Sequence, residues 1–233
     1  MELTSKTAIV TGASRGLGKA VASALVEKGA TVYGIARDKR SLESLQEDLG
    51  SNFFPVVLDI TSENDVSEWI THNFSKEKIP DILINNAGAG YFEKIEYLPS
   101  EKWHQMINTN LNAVFYFTTG IVPFMKSSKN SSHIINIGSI LGKTSSPTKH
   151  AYSATKYALQ GFGESLFKEL RGDNIKVSLV NLGSINTDFF EESGIEGNNK
   201  MLEPADLAST IIHLLETPDN VLIDEITIRP LNS

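Results

Sequence analysis

Residues 11–20 read TGASRGLGKA and follow the short apolar run Ala8-Ile9-Val10. Three glycines, Gly12, Gly16 and Gly18, lie between that β-branched run and a helix-patterned segment in which Val21, Leu25 and Val26 form one stripe and Gly29 ends it. Glycine has no Cβ and takes positive φ readily. A turn of this kind therefore lets backbone N–H groups and a helix N-terminus approach a pyrophosphate. A Walker loop needs a glycine five residues before the Gly-Lys pair and Ser or Thr after it; those places hold Ala13 and Ala20. The usual dinucleotide fingerprint G-x-G-x-x-G does not fit either, because the order here is G-x-x-x-G-x-G. Alone, the turn predicts a dinucleotide site at the first strand-to-helix crossing.

Moving outward, runs rich in β-branched residues recur at 7–12, 30–36, 54–60, 81–88, 133–139, 175–183 and 225–230. Their apolar character on both faces suits strands buried between helices, as in a parallel sheet. Helix-patterned segments alternate with them, and no linker or internal repeat divides the chain. The expected architecture is one α/β domain over 1–233, a Rossmann-type doubly wound fold with seven mainly parallel strands flanked by helices. The least regular stretch, 184–202, with Glu191, Glu192, Gly194 and Gly197, reads as a loop over a substrate pocket.

Composition removes several function classes. A formal net charge of -7 and a sequence pI near 5.3 argue against nucleic acid as a partner, because such binding rests on Lys and Arg neutralising phosphates. The chain has no cysteine, which excludes disulfides, thiolate metal sites and a cysteine nucleophile. Its five histidines are scattered without the i, i+4 spacing of zinc hydrolases, so no metal site is expected. No stretch approaches the roughly 18 apolar residues of a membrane span, and a cytoplasmic location without membrane partners is the expectation.

Four features then stand in order: T-G-x-x-x-G-x-G at Thr11 to Gly18, N-N-A-G at Asn85 to Gly88, Ser139 lying 13 residues before Tyr152, and Y-x-x-x-K at Tyr152 to Lys156. Together, over essentially the whole chain, they resemble the short-chain dehydrogenase/reductase family. The resemblance implies an oxidoreductase that moves hydride between a nicotinamide cofactor and a carbonyl or alcohol carbon. It makes Asn110, Ser139, Tyr152 and Lys156 the catalytic residues. Tyr152 would exchange a proton with the substrate oxygen and Ser139 would hold that oxygen. Lys156 would bind the ribose, and Asn110 would position a relay water. Tyr152 and Lys156, four residues apart on a predicted helix, share a face. A nearby ammonium and an oxidised nicotinamide are expected to favour the phenolate.

The resemblance also places the cofactor along Thr11, Gly12, Ser14, Arg15, Gly16, Leu17 and Gly18, with Asp59 and Ile60 at the adenine and Asn86, Ala87 and Gly88 at the centre. After the sixth strand the family's usual Pro-Gly is Leu182-Gly183 here. Gly183, Ile185 and Thr187 match the positions that hold the carboxamide, and loss of proline predicts a less rigid loop entry. NADP(H) is favoured over NAD(H) because the second strand ends in Ala36 followed by Arg37, an arginine fork where an acid would hold a 2′-hydroxyl. Arg15 adds a second positive charge. A strand running two residues further would instead bring Asp38 into the acidic position and favour NAD(H).

Phe189, Phe190, Leu141 and Tyr91-Phe92 are candidates for an apolar pocket wall, and Lys143, Lys149 and His150 for attracting an anionic group. The substrate class is a small or medium ketone, 3-oxoacyl thioester or hydroxy acid. A helix over 151–171, with Ala154, Ala158, Gly161 and Gly163, is expected to pair copies into a homodimer or homotetramer. The alternative is a non-catalytic NADP-binding regulatory or scaffold protein on the same fold.

Overall fold

The alternating strands and helices form the expected sheet in the computed structural model, which describes residues 1–187, 189 and 200–231. The strands are β1 (Thr7–Thr11), β2 (Thr31–Ala36), β3 (Phe53–Val57), β4 (Ile82–Asn85), β5 (Ser132–Ile137), β6 (Ile175–Leu182) and β7 (Glu225–Ile228). They pair in the order β3-β2-β1-β4-β5-β6-β7 with every pairing parallel, so all carboxyl ends lie along one edge. β4, β5 and β6 are buried at every residue, whereas the edge strands β3 and β7 are partly open. This distribution explains why the central strands are rich in apolar residues on both faces.

The two-residue period of each strand divides the core between the faces. Ala8, Val10, Val32, Ile82 and Ile84 face α1 (Gly16–Glu27), α2 (Lys39–Leu49) and α7 (Pro204–Glu216), where Val21, Leu25, Leu42 and Ile211 cover them. Ile9, Tyr33, Leu83 and Ile134 face the other way, onto α3 (Glu63–Asn73), α5 (Ala113–Ser127) and the end of α6 (His150–Leu170). The short α4 (Ser100–Ile107) runs into a π-helical turn, Asn108–Asn112, before α5 begins. The third strand is shorter than expected: Leu58 to Ile60 leave the sheet after Val57. Among the described residues, no helix is long and apolar enough to cross a membrane.

The chain order reverses between β2 and β4 on either side of β1. A crevice opens at such a switch point, outside the carboxyl ends of the strands.

One buried base lies at the opposite end of the sheet. His133 on β5 is 1% exposed. Ser178 Oγ donates to Ile223 O at 2.6 Å and so receives the His133 Nε2–H at 2.8 Å; Nδ1 has no partner among the described residues. Burial, followed by the charge of Lys176, pushes the imidazole down to about 3. The folded chain therefore holds His133 neutral, while an unfolded chain takes up the proton below its ordinary value near 6.5. The unfolded state then binds more protons and stability falls with pH. Between about pH 7 and pH 5 this group alone should remove about 2 kcal/mol from the urea-unfolding free energy. His133→Gln should flatten that slope, and an equal slope in both proteins would assign it elsewhere.

Candidate functional site

The opening turn is built from two different uses of glycine. Gly12 and Gly16 take φ of +69° and +54°, which strain any other residue. Gly18 has an ordinary φ. A Cβ there would instead collide with the Gly12 carbonyl oxygen. Gly12 and Ala13 donate to Ile35 O at 2.8 and 3.1 Å, folding the turn back onto β2. α1 then starts with no side-chain cap and no acidic residue in its first turn. Its first N–H groups are left for a ligand.

Thr11 turns its side chain to a structural task. It is buried, does not line the cleft, and joins β1 to β4. Its Oγ1 accepts from Asn86 N and Ala87 N, both at 3.0 Å, while Asn86 Nδ2 donates to Thr11 O at 2.9 Å. This clamp presents Asn86, Ala87 and Gly88 to the crevice.

The crevice is a cleft of about 540 Å³. Gly12, Ser14, Arg15, Gly16, Leu17 and Gly18 form its floor, with Arg37, Asp59 and Ile60 at one end and Gly183, Ile185 and Thr187 along one wall. The question of Asp38 is answered by the cap of α2. β2 ends at Ala36, and the Asp38 carboxylate accepts from Arg40 N at 3.1 Å, Ser41 N at 3.3 Å and Ser41 Oγ at 2.6 Å. These bonds to Ser41 hold its carboxyl below the usual range. Thr61 does the same for Asp59, with a smaller contribution from the Arg37 charge.

The expected looser entry after β6 is not seen. Leu182 pairs with Ile228 and Gly183 N donates to Ile228 O at 2.8 Å, so the sheet ladder ties down the residues that proline would have stiffened. Ile185 then bridges to Leu202, pinning both ends of the 184–202 loop. The interior of that loop, with Phe190, lies outside the described residues.

At the other end of the cleft, α6 buries the face that carries Tyr152, Thr155, Lys156 and Leu159, the spacing of one helical stripe. Lys156 Nζ donates to Ile137 O at 2.8 Å and sits 5.7 Å from the Tyr152 ring centroid. Ser139, just past β5, shares a side-chain hydrogen bond with Tyr152, and its Oγ accepts from Leu141 N at 3.1 Å. Burial pushes Tyr152 up to about 12, against the opposing pull of Ser139, and pushes Lys156 down to about 8. In the free protein desolvation therefore overrides the expected bias toward phenolate, and Tyr152 holds its proton.

Asn110 comes near this cluster by a route the sequence does not reveal. It sits in the π turn, 1% exposed, and its Oδ1 accepts from Ala89 N at 2.7 Å. Its Nδ2 donates to Ala89 O at 2.9 Å and to Thr155 Oγ1 at 3.0 Å. The carboxamide thus fixes the loop after β4 against α6.

Sequence reasoning missed a second network. Ser139 N donates to Asn181 Oδ1 at 3.2 Å, and Asn181 Nδ2 donates to Glu225 Oε1 at 2.9 Å. Gln160 Nε2 reaches Glu225 Oε2 at 3.0 Å, and Lys143 pairs with the same carboxylate. The available signal was an asparagine near the end of the wholly buried β6. Such a residue must find polar partners. Of the apolar candidates, Leu141 and Phe189 line the cleft, whereas Tyr91 and Phe92 do not. Phe92 and Phe189 pack edgewise on Tyr152 with ring centroids 5.6 and 5.9 Å away, and Tyr91 and Leu141 join the cluster.

Comparison with known proteins agrees in fold and chemistry. The family model described as short chain dehydrogenase matches residues 6–196. An oxidoreductase of Staphylococcus aureus strain USA300 is 34% identical over 230 residues, covering 98% of this chain and 99% of the relative. Among solved structures, a metagenomic short-chain oxidoreductase in complex with NADP superposes with a TM-score of 0.85 at 31% identity, covering 99% of each chain. The 3-ketoacyl-(acyl-carrier-protein) reductase from Brucella melitensis complexed with NADH gives a TM-score of 0.88 at 27% identity, again with 99% of each chain covered.

The Asn110 bonds yield a stability test. Asn110→Leu keeps the volume but strands Ala89 and the Thr155 hydroxyl, and should cost about 3 kcal/mol in urea unfolding. Asn112→Leu, which removes one bond to Asn108 Oδ1, should cost about 1 kcal/mol. Equal losses would contradict the linking role of Asn110.

Proposed function

The chain belongs to the short-chain dehydrogenase/reductase family, and on that premise we propose that this oxidoreductase uses NADP(H) to interconvert a carbonyl and an alcohol on a small or medium-sized substrate. The observation that carries the reading is the meeting of Ser139, Tyr152 and Lys156 at one end of a cleft whose other end holds Arg37. The residues present fit a dinucleotide. Gly12 and Gly18 let the turn pack closely against Asn86 and its own backbone where a Cβ would collide, and the uncapped start of α1 offers N–H groups to phosphates.

Support for NADP(H) is electrostatic. With Asp38 engaged as a cap, Arg37 and the exposed Arg15 are the charged groups left to meet a 2′-phosphate. Asp59 and Ile60 would flank the adenine. Asn86, Ala87 and Gly88 would back the central region, and Gly183, Ile185 and Thr187 would hold the carboxamide. NAD(H) is the competing cofactor.

When bound, the nicotinamide supplies or accepts the hydride. Tyr152, kept protonated by burial, would donate its proton to the carbonyl oxygen during reduction. Ser139 would hold that oxygen. Lys156, already within the same buried pocket, would hold the ribose and refill the phenol. Asn110 would keep the loop after β4 in place against α6. The 184–202 loop would cover the substrate, and the exposed Phe115 of α5 and Tyr157 of α6 would meet a second copy in a homodimer or homotetramer.

Tyr152→Phe should bind NADPH normally and lose turnover by about 10³-fold. The test is a carbonyl panel run with NADPH and NADH side by side. Binding without any turnover would favour the non-catalytic alternative, and full activity of Tyr152→Phe would sink the mechanism. Arg37→Ala should raise the KM for NADPH far more than for NADH; equal effects would remove the NADP assignment. Reduction needs the Tyr152 proton and oxidation needs it gone. Burial keeps the proton on Tyr152 up to about 12 but brings Lys156, which would refill it, down to about 8, so kcat/KM for reduction should fall above about pH 8 as the Lys156 ammonium is lost.

A further inference from the structure

Three basic side chains, Lys143, Lys149 and His150, stand near the entrance to α6, and the structure separates them. Lys143 is held by Glu225. The His150 ring bonds to Glu93 O at 3.1 Å. Lys149 is different: it lines the cleft together with Ser139, Tyr152 and Phe189, and its ammonium lies 5.3 Å from the centroid of Phe92, whose ring packs on Tyr152. No carboxylate pairs with it among the described residues.

The charges lining the cleft are divided by sign. Its described carboxylates, Asp38 and Asp59, both lie at the Arg37 end and are engaged by Ser41 and Thr61. At the Tyr152 end the described charged residues are Lys149 and Lys156. Lys156 is bonded to Ile137 O. α6 also begins there without a side-chain cap or an acid in its first turn, so its positive dipole end adds to the same potential. A substrate bearing an ammonium near its carbonyl meets repulsion there, and one bearing an anion is drawn in.

We propose that the substrate is an oxo acid with an apolar body, its carboxylate paired with Lys149 and its body lying against Phe92, Leu141 and Phe189. This rests on the hydride-transfer reading given above. In the reducing direction the carbonyl carbon takes hydride from NADPH and its oxygen takes the Tyr152 proton. The product is a hydroxy acid and NADP⁺, and the carboxylate is unchanged. A carboxylate fits better than a phosphate ester because one lysine offers a point charge, whereas a phosphate group is commonly met by arginine forks or several donors.

Benzoylpropionate and its methyl ester test the assignment, since they share an aryl ketone and differ in charge. For the unaltered protein with NADPH, kcat/KM for the acid should exceed that for the ester about tenfold, the range expected for a hydrogen bond to a charged group. Lys149→Met should bring the ratio to about one by raising the KM of the acid, and Lys149→Glu should invert it. Lys143→Met should keep the original ratio, because that lysine is already paired with Glu225. Equal turnover of acid and ester by the unaltered protein, with activity lost in Tyr152→Phe, would overturn this assignment and leave the hydride-transfer reading standing. Equal loss on both substrates in Lys149→Met, or collapse of the ratio in Lys143→Met, would also overturn it. No NADPH oxidation with either compound or with any neutral ketone would overturn both.

Discussion

One threonine hydroxyl sets the geometry on which the cleft depends. Thr11 Oγ1 receives two successive backbone N–H groups from the chain leaving β4, and Asn86 returns a bond to Thr11 O. The carboxyl ends of β1 and β4 are therefore locked side by side where the strand order reverses. Both sides of the crevice start from that lock. One leads through the Gly12 turn into α1, and the other leads through Gly88 to Ala89 and its hold on Asn110. Losing the hydroxyl would leave two half-buried donors without their shared acceptor and release the chain after β4 from β1.

Burial then shapes the chemistry. Tyr152 and Lys156 are placed on one helical face by their spacing, but their proton affinities are moved in opposite senses by the same desolvation. A neutral phenol is the easier state to bury, and an ammonium the harder one. The ammonium is retained by the Ile137 carbonyl, and the phenol by Ser139. Ser139 is in turn held through its N–H by Asn181. The arrangement rests on a polar chain that passes through the sheet rather than around its rim.

The fold was largely legible because a doubly wound parallel sheet buries its central strands on both sides, and β4, β5 and β6 show this as runs rich in Ile, Leu and Val. Arg37 was legible as a free charge once β2 ended at Ala36. The less legible features depend on direction and not on residue type. Thr11 and Asn110 belong to recognisable motifs, yet both side chains turn inward to bind the backbone. The π turn that aims Asn110 adds no compositional signature to NTNLN. Asn181 and Glu225 are 44 residues apart, and their contact exists only because β6 and β7 are neighbours. The difference between Lys143 and Lys149 likewise lies in what each side chain meets after folding.

The Asn181–Glu225 contact also orders the assembly of the protein in time. β7 is the last strand of the sheet to leave the ribosome, and domains can acquire structure as they emerge. The glycine turn, the Thr11 clamp and the α6 face are all encoded upstream and can form while β7 is still in the exit tunnel. The serine loop then has its asparagine but lacks the carboxylate that orients it. The hold of Glu225 on Asn181, and through it on the Ser139 loop, is therefore among the last contacts of the sheet to form.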